Sequence, residues 1–299
     1  MIKTPLSTVL GGAGIWTPGC TVLGGQQNIH QLIKSLFANN EQGFTRTLDD
    51  LTILYQDAAG TIPVTGAEQP VGLMLDKSKG LALGIELFTG FVALPNTTIS
   101  SPKPTTVVTS TAASGNYGAR QSNIVQANKT YKVEFDFINP QGTRIGINLG
   151  SYYGDTQIGT SGKYKGIITT TSAGQLLLYS VSTAIGQTFT ISNVSVKELA
   201  GNHAYQTQSA MRPLLAASPQ RLDYDTVDDK LTTTLPAQLT GCTVVRAVPN
   251  VGTQILTNQT IPTTYNDNTD HCGLIVINRA LTTTETAQIT RLFNKAAGV

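Results

Sequence analysis

A strict alternation of apolar and charged side chains at residues 131–137 constrains the fold of this chain more than any other feature. Between the apolar positions lie three charged ones, and the full run is Tyr131, Lys132, Val133, Glu134, Phe135, Asp136 and Phe137. A period of two places these sets on opposite faces of a strand, one buried and one in solvent. Comparable segments follow at 143–149, 166–171, 175–180 and 189–197. Several short strands separated by Gly and Asn turns predict an antiparallel β-sandwich over residues 86–198.

Composition agrees with a mainly β protein. Only 13% of the 299 residues are charged, 40% are hydrophobic and 29 are Gly. That hydrophobic content is too high for a disordered chain. The net charge of +2, with no basic stripe, argues against nucleic-acid binding. No apolar run reaches the roughly 20 residues that span a bilayer, and Met1–Pro5 lack the apolar core of a signal peptide, so we expect a protein made in the cytoplasm without membrane insertion.

Two helices are predicted near the ends of the chain. An apolar stripe at helical spacing predicts a helix capped by Asn28, and it consists of Ile29, Leu32, Ile33, Leu36 and Phe37. Such a short helix must pack on its own sheet or on sister copies, and the sequence leaves both open. Thr282 and Glu285 form a capping box for a C-terminal helix that Gly298 ends. A further short helix is predicted near Asp49–Tyr55.

Residues 1–25 are rich in Gly and contain the sole Trp, Trp16. We interpret them as an extended arm that lies on another subunit or a neighbouring protein, because the arm cannot bury Trp16 by itself. The alternative is an unstructured terminus.

Four separated segments carry a resemblance to a known class of proteins. They are LFANNEQGF (36–44), LYQDAAGTIPVT (54–65), QPVGLMLDKSKG (69–80) and GNHAYQTQSAMRPLL (201–215). Together they resemble a stretch that recurs in structural proteins of tailed bacteriophages, in which Leu-Asp-Lys-Ser runs almost directly into Gly-Asn-His-Ala. The resemblance implies a virion protein whose host unit is interrupted by an inserted module. It implies residues 1–43 as an arm and helix for attachment or oligomerisation, 44–85 plus 199–299 as the host unit, and 86–198 as the insert.

The insert carries a second resemblance. The segments NKTYKVEFDF (128–137), GKYKGIIT (162–169) and FTISNVSVKEL (189–199) resemble a jelly-roll carbohydrate-binding module. In the host unit, residues 221–231 and 273–281 resemble the entry and closing strands of a concanavalin-type lectin. Because so few residues separate these two strands, the lectin-like half is either trimmed or completed by neighbouring chains. The fold implied is mainly β, with a jelly-roll inserted into a discontinuous, partly helical lectin-like unit.

Sugar binding is the best chemical hypothesis for the insert. Sugar sites combine aromatic platforms with a few polar groups. The candidates are Tyr117, Arg120, Tyr152, Tyr153, Asp155 and Tyr164, with Tyr152–Asp155 assigned to a loop. The alternative is that Tyr152 or Tyr153 packs in the core.

Other chemistry is less supported by the sequence. The acidic cluster Asp223, Asp225, Asp228 and Asp229 could bind calcium but lacks EF-hand spacing, so a solvated turn is favoured. Neither a zinc set of His203, Cys242, His271 and Cys272 nor a nucleophile motif has the required spacing. We expect no metal, no cofactor and a turn-forming His203. The cysteines are expected to be buried free thiols, with pairing of Cys242 and Cys272 as the alternative. Glu134 and Asp136 are expected to form a solvated strand face rather than a catalytic pair.

The sequence therefore predicts a non-enzymatic bacteriophage virion protein, foremost a tail fibre or tail-tip protein that recognises a host-surface glycan. A homotrimer that contacts other virion proteins through its arm is implied by the resemblance. The alternatives are a purely structural head decoration or collar protein and, less favoured, a capsule depolymerase.

Overall fold

A computed structural model describes residues 28–139, 145–156 and 161–299, with the backbone alone for 154–156. The protein is mainly β, with one α-helix near each end of the described chain, which confirms the predicted fold class. The predicted N-terminal arm, including Trp16, lies outside the described residues. No helix in these ranges is both long and apolar enough to cross a membrane.

The part of the chain before the insert supplies one helix and three short strands. They are α1 (Ile29–Leu36), β1 (Gly43–Thr47), β2 (Leu54–Tyr55) and β3 (Leu73–Met74). Asn28 and Gln31 cap α1 reciprocally, through bonds of 2.9 Å and 3.2 Å between side chain and backbone. The helix expected near Asp49–Tyr55 is reduced to a 3-10 turn at Leu51–Ile53, capped by Asp50.

The middle of the chain contributes only strands. They are β4 (Leu83–Glu86), β5 (Val92–Ala93), β6 (Thr97–Ile99), β7 (Thr105–Ser110), β8 (Gly115–Val125), β9 (Lys129–Ile138), β10 (Ile145–Leu149), β11 (Tyr152–Thr156), β12 (Ser161–Thr170), β13 (Gly174–Ser182) and β14 (Thr188–Leu199). Tyr152 and Tyr153 therefore belong to an edge strand, not to the loop that the sequence suggested. In the register, Tyr153 lies opposite Asn148.

The remainder of the chain adds eight strands and the second helix. They are β15 (Ala204–Tyr205), β16 (Leu214–Ala216), β17 (Arg221–Asp223), β18 (Leu231–Thr234), β19 (Leu239–Val248), β20 (Gly252–Ile261), β21 (Thr264–Asp267), β22 (Gly273–Ile277) and α2 (Thr283–Ala297). A 3-10 turn spans Ser209–Met211. Thr282 and Glu285 form the predicted capping box, and Gly298 ends α2 in the left-handed region.

The middle strands form a β-sandwich of two antiparallel sheets. One sheet has the order β11-β10-β13-β8-β5, and the other has the order β12-β9-β14-β7-β6, with β4 added beside β14. Apolar side chains from both sheets fill the space between them; Tyr117 meets Phe189, with ring centroids 5.4 Å apart. None of the described strands 83–199 pairs with a strand outside that range. The predicted domain boundaries stay a prediction with which this pairing is compatible.

Two larger sheets lie outside the sandwich, with orders β1-β22-β19-β20 and β2-β3-β15-β18-β21, and β16 pairs with β17 in a two-stranded sheet. Both helices cover one face of the four-stranded sheet, where Leu32, Leu36 and Phe293 pack against the buried strand residues. The partner of α1, which the sequence left open, is therefore a sheet and a helix of the same chain.

Two of the phage-like segments, 69–80 and 201–215, meet at a polar cluster that we call the buried junction, formed by Arg46, Asp76, Asn202 and His203. The Asp76 carboxylate accepts hydrogen bonds from the backbone N–H of Thr45 (2.9 Å) and of Asn202 (2.8 Å). The Asp76 backbone N–H donates to Nδ1 of His203 (2.9 Å).

Arg46 is fully buried, and one of its terminal nitrogens donates to the Asn202 carbonyl (2.9 Å). These contacts join the chain that precedes residue 83 to the chain that follows residue 199. His203, expected to serve a turn, contacts the Leu199 carbonyl four residues earlier (3.3 Å from Nε2) and also accepts from the Asp76 N–H.

Candidate functional site

A cavity of about 470 Å³ opens between the sandwich and the segments around residues 57–59 and 205–212, which lie outside the sandwich. We call it the seam cavity. Three stretches of chain line it. The loop at Asp57–Ala59 forms one wall, and Tyr205, Thr207 and Arg212 form a second. The sandwich contributes the third wall, from the start of β11 and the end of β12.

Asp57 is held in place by its own loop. Its carboxylate accepts hydrogen bonds from the N–H groups of Thr61 and Ile62, both 2.9 Å long, and from the Thr61 hydroxyl (2.6 Å). The loop in turn attaches to the sandwich, because the Ile167 N–H donates to the Ala59 carbonyl (2.7 Å). Gly60 makes this approach possible: its φ is +62°, and a Cβ there would lie 2.8 Å from Cβ of Ile167.

Arg212 brings a positive charge to the opposite wall. Its Nε donates to the Gln206 carbonyl (3.1 Å) and its Nη2 to the Thr207 carbonyl (3.2 Å). Gly72 leaves room for it, since a Cβ at that position would come within 2.9 Å of Nε. Within the described ranges Arg212 makes no ion pair, so its charge is not neutralised by a carboxylate contact.

Three tyrosines line the cavity: Tyr205 in the second wall, and Tyr152 and Tyr153 on β11. Tyr152 is half-buried and packs against the sandwich core, whereas Tyr153 is 74% exposed. Burial, and secondarily the Asp57 carboxylate, raises the pKa of Tyr152, so its phenol is protonated at neutral pH. The cavity therefore offers apolar ring surface and a hydroxyl donor together.

Hydroxyl groups complete the lining. The Ser151 hydroxyl accepts from the Thr171 N–H (2.7 Å) and lies 2.9 Å from the Thr171 hydroxyl. Thr169 shares a hydrogen bond of 2.8 Å with Thr130. Each hydroxyl can both donate and accept, so these groups can adjust to a polyhydroxylated ligand.

The structure brings together only part of the predicted sugar site. Tyr152 and Tyr153 line the seam cavity. Arg120 is exposed but lies in register with Val92 and Leu177 on β8, outside the cavity lining. The side chain of Asp155 is outside what the structure describes.

Tyr117 and Tyr164, predicted as sugar contacts, are core residues and cannot contact a ligand. Tyr117 is fully buried, and Tyr164 is 5% exposed and stacks on Phe135, with ring centroids 4.9 Å apart. Both point into the sandwich core, since each lies on a strand face that alternation turns inward. Burial also raises the pKa of Tyr164 far above its usual value.

The sequence did not identify the cavity-lining residues that lie outside the sandwich. They are Asp57, Tyr205, Thr207 and Arg212. Asp57 and Arg212 do lie inside two segments of the phage-like phrase, which was the one available signal. Their approach to the insert depends on long-range pairing that no local pattern shows.

The acidic cluster that follows β17 has a local explanation. The ligand atoms of Asp225, Asp228 and Asp229 lie within 4.8 Å of one another, and Asp225 accepts backbone N–H bonds from Val227, Asp228 and Asp229. These bonds lower the pKa of Asp225, as in the solvated turn that the sequence favoured. Cys242 and Cys272 are buried free thiols.

No protein-family model matches the sequence, and no curated protein matches it. Among solved structures, an arabinose-bound α-L-arabinofuranosidase, MgGH51, matches at 14% identity and a TM-score of 0.30, over 53% of this chain and 31% of that one. The chain thus spans about a third of that enzyme's length.

Two other solved structures are similar at the same level. The tandem CBM22 domain of Xyn10C from Paenibacillus barcinonensis matches at 9% identity and a TM-score of 0.29, over 74% of this chain and 96% of that one. The Stig cyclase Fisc from Fischerella sp. TAU matches at 14% identity and a TM-score of 0.25, over 54% and 90%. Likenesses at these TM-scores carry no argument about this chain.

Proposed function

We propose that this chain is a non-catalytic glycan-binding protein and that the seam cavity is its binding site. The observation that carries the proposal is the placement of Tyr152 and Tyr153 beside an arginine and a carboxylate in one open cavity. A sugar ring has an apolar face, formed by its C–H groups, and an equatorial rim of hydroxyls. An aromatic ring covers the first, and planar charged groups bind the second.

The wall groups fit a neutral saccharide in particular. Asp57 can accept from hydroxyls, Arg212 can donate to them, and the two charges balance across the cavity. Ser151 and Thr171 add groups that can reverse their donor and acceptor roles. A ligand with a net charge would leave one of the two walls uncompensated.

Binding is favoured over hydrolysis by the carboxylates available. Glycoside hydrolysis in most enzymes uses two carboxyl groups flanking the scissile bond. Asp57 is the one carboxylate among the described residues that line the cavity. Glu134 and Asp136, the pair considered from the sequence, contact Lys132 (3.3 Å) and Lys163 (3.5 Å) and are not part of this lining.

We further propose that the protein is part of a tailed-bacteriophage particle, as a tail fibre or tail-tip protein. The support is the resemblance of the four phrase segments, together with the use of two of them in the buried junction. A homotrimer attached through the N-terminal arm belongs to the same proposal. Immunogold electron microscopy of intact particles tests the location: label on the tail is expected, and label on the head contradicts a receptor-binding role.

Glycan binding is tested with an array of bacterial surface polysaccharides, probed with the wild-type protein and the Tyr153→Ala variant. We expect selective binding by the wild type and its loss in the variant. Arg120→Ala is the matched control, since Arg120 is an exposed sandwich residue outside the cavity, and it should bind as the wild type does. A wild type that binds no glycan would leave the structural role of a decoration or collar protein.

A further inference from the structure

A second cavity, of about 650 Å³, lies between α1 and the turn at residues 77–81. Its apolar part consists of Ile33, Phe37 and Leu81, of which the first two are buried. Its polar rim is basic: Lys34, Lys77 and Lys79 line it, and none of the described lining residues is acidic. We call it the basic cavity. It shares no lining residue with the seam cavity.

One of the three lysines is neutralised and two are not. Lys77 pairs with Asp50 (2.9 Å between Nζ and Oδ2) and lies 3.3 Å from Nδ1 of His30. His30 in turn contacts Asp49, with Nε2 and Oδ2 2.8 Å apart. Two acidic groups outside the lining thus offset Lys77 and hold His30 in place.

The other two lysines keep an uncompensated charge. Lys79 donates to the amide oxygen of Asn40 and to the Glu41 carbonyl, both 2.8 Å away, and these acceptors are neutral. Lys34 is exposed on α1 and makes no side-chain hydrogen bond or ion pair within the described ranges. The rim consequently presents two ammonium groups, those of Lys34 and Lys79, that pair with no carboxylate among the described residues, above an apolar floor.

We propose that the basic cavity binds an anionic sugar residue, with its carboxylate or phosphate group between Lys34 and Lys79 and its apolar ring face on Phe37 and Leu81. A carboxylate and a phosphate satisfy the same two ammonium groups, so the shared chemistry is an anionic group on a ring with an apolar face. The site goes beyond the proposed function, because the seam cavity balances its own charges and favours a neutral ligand.

Titration calorimetry of the full chain with three probes tests the site. Glucuronate carries a carboxylate, glucose 6-phosphate carries a phosphate, and glucose is the neutral control. We expect one or both anionic probes to bind and glucose to bind at least tenfold more weakly. The preferred anion identifies the source of the charge. Added salt should weaken the anionic binding, since rim charges are screened.

Variants separate the charge from the fold. Lys34→Gln should weaken anion binding about threefold, the usual scale for one exposed charge contact. Lys34→Gln/Lys79→Gln should reduce it to the level of glucose. Lys34 has no side-chain partner among the described residues, so Lys34→Gln should melt as the wild type does. Lys165→Gln on the sandwich should change neither anion binding nor melting.

Two results would overturn the proposal: anionic probes that bind wild type no better than glucose, or a double variant that binds them as wild type does. Each outcome is independent of the seam cavity, since Tyr153→Ala should leave anion binding intact and Lys34→Gln should leave neutral-glycan binding intact.

Discussion

Two polar regions of the molecule have opposite character: the buried junction, which joins the segments on either side of residues 83–199, and the seam cavity, where the loop at Asp57–Ala59 meets the sandwich. In the buried junction, the Asp76 carboxylate accepts four hydrogen bonds. Two come from the N–H and the hydroxyl of Ser78, and two come from the N–H groups of Thr45 and Asn202. In the seam cavity, by contrast, Arg212 lacks a carboxylate partner among the described residues, and Tyr153 is 74% exposed. The polar groups of the buried junction are enclosed and bonded within the fold, while those of the seam cavity, although they also make hydrogen bonds, line an open cavity that a ligand can reach.

The contrast shows how the same composition yields two roles. Both places combine an Asp, an Arg and neighbouring hydroxyls drawn from distant parts of the chain. Burial decides the outcome, because a buried polar group must find an internal partner whereas an accessible one can use solvent or ligand. The buried junction is therefore expected to govern stability, and the seam cavity to govern binding.

The largest expected effect is at the buried junction. Asp76→Ala removes four accepted hydrogen bonds and one of the two carboxylates, Asp76 and Asp267, whose charge stabilises buried Arg46. We expect the free energy of unfolding to fall by about 3–5 kcal/mol, measured by urea denaturation. Asp57→Ala, the corresponding change in the seam cavity, should cost markedly less because that carboxylate is partly exposed. Equal losses for the two variants would remove the distinction between the regions.

A second prediction concerns acid stability. Burial lowers the pKa of His203 from 6.5 to about 4, so the folded protein holds the imidazole neutral. Between these values the unfolded chain binds a proton that the folded chain does not, and stability is lost as the pH falls from 6.5 towards 4. The loss should reach about 3 kcal/mol.

His203→Gln is the matching variant for that prediction. It should unfold more readily at pH 7 but show a flatter dependence of unfolding free energy on pH between 4 and 6.5. An unchanged slope would mean that His203 is not held neutral by the junction.

The third prediction addresses the loop that carries Asp57. Gly60→Ala introduces strain at positive φ and a Cβ 2.8 Å from Cβ of Ile167. Gly80 has a similar φ of +65° with nothing within 4 Å, so Gly80→Ala reports the strain alone. We expect Gly60→Ala to cost about 2 kcal/mol more than Gly80→Ala in thermal or urea unfolding. Identical costs would show that the loop does not pack on β12 as described.

A smaller effect on stability is expected at Arg212. Arg212→Lys keeps the charge but loses the planar fork that donates to two carbonyls, so we expect about 1 kcal/mol of destabilisation. Glycan affinity should fall more visibly, about fivefold, because a lysine cannot reproduce the geometry. Titration calorimetry against an array-selected glycan measures it. Unchanged affinity would exclude Arg212 from the binding surface.

Local patterns in the sequence predicted the elements well, and contacts between distant segments poorly. The period-two run at 131–137 became β9, and the capping residues Asn28 and Thr282 begin both helices. Strand alternation also explains one error: Tyr117 and Arg120 are three positions apart on β8, so they face opposite sides, and one sugar site could not use both. Parity along a strand would have separated them.

The rest depends on pairing over long stretches of chain. Asp57 and Arg212 reach the same cavity only because β2, β3 and β15 pair across the insert, and the sequence contains no local signal of that arrangement. The phage-like segments indicated which parts of the chain belong together. They did not show that Asp76 would be buried and that Asp57 would line a cavity. Burial is a property of the assembled sheets.

The affinity of Tyr153→Ala for a glycan selected on the array is the most direct test of whether the seam cavity binds glycan. Tyr153 is largely exposed, so its removal should leave the urea midpoint unchanged within error. If the seam cavity is the binding site, the affinity nevertheless falls about tenfold, because the variant loses an aromatic platform. A variant that binds the glycan as tightly as the wild type would contradict the assignment of the seam cavity as the binding site.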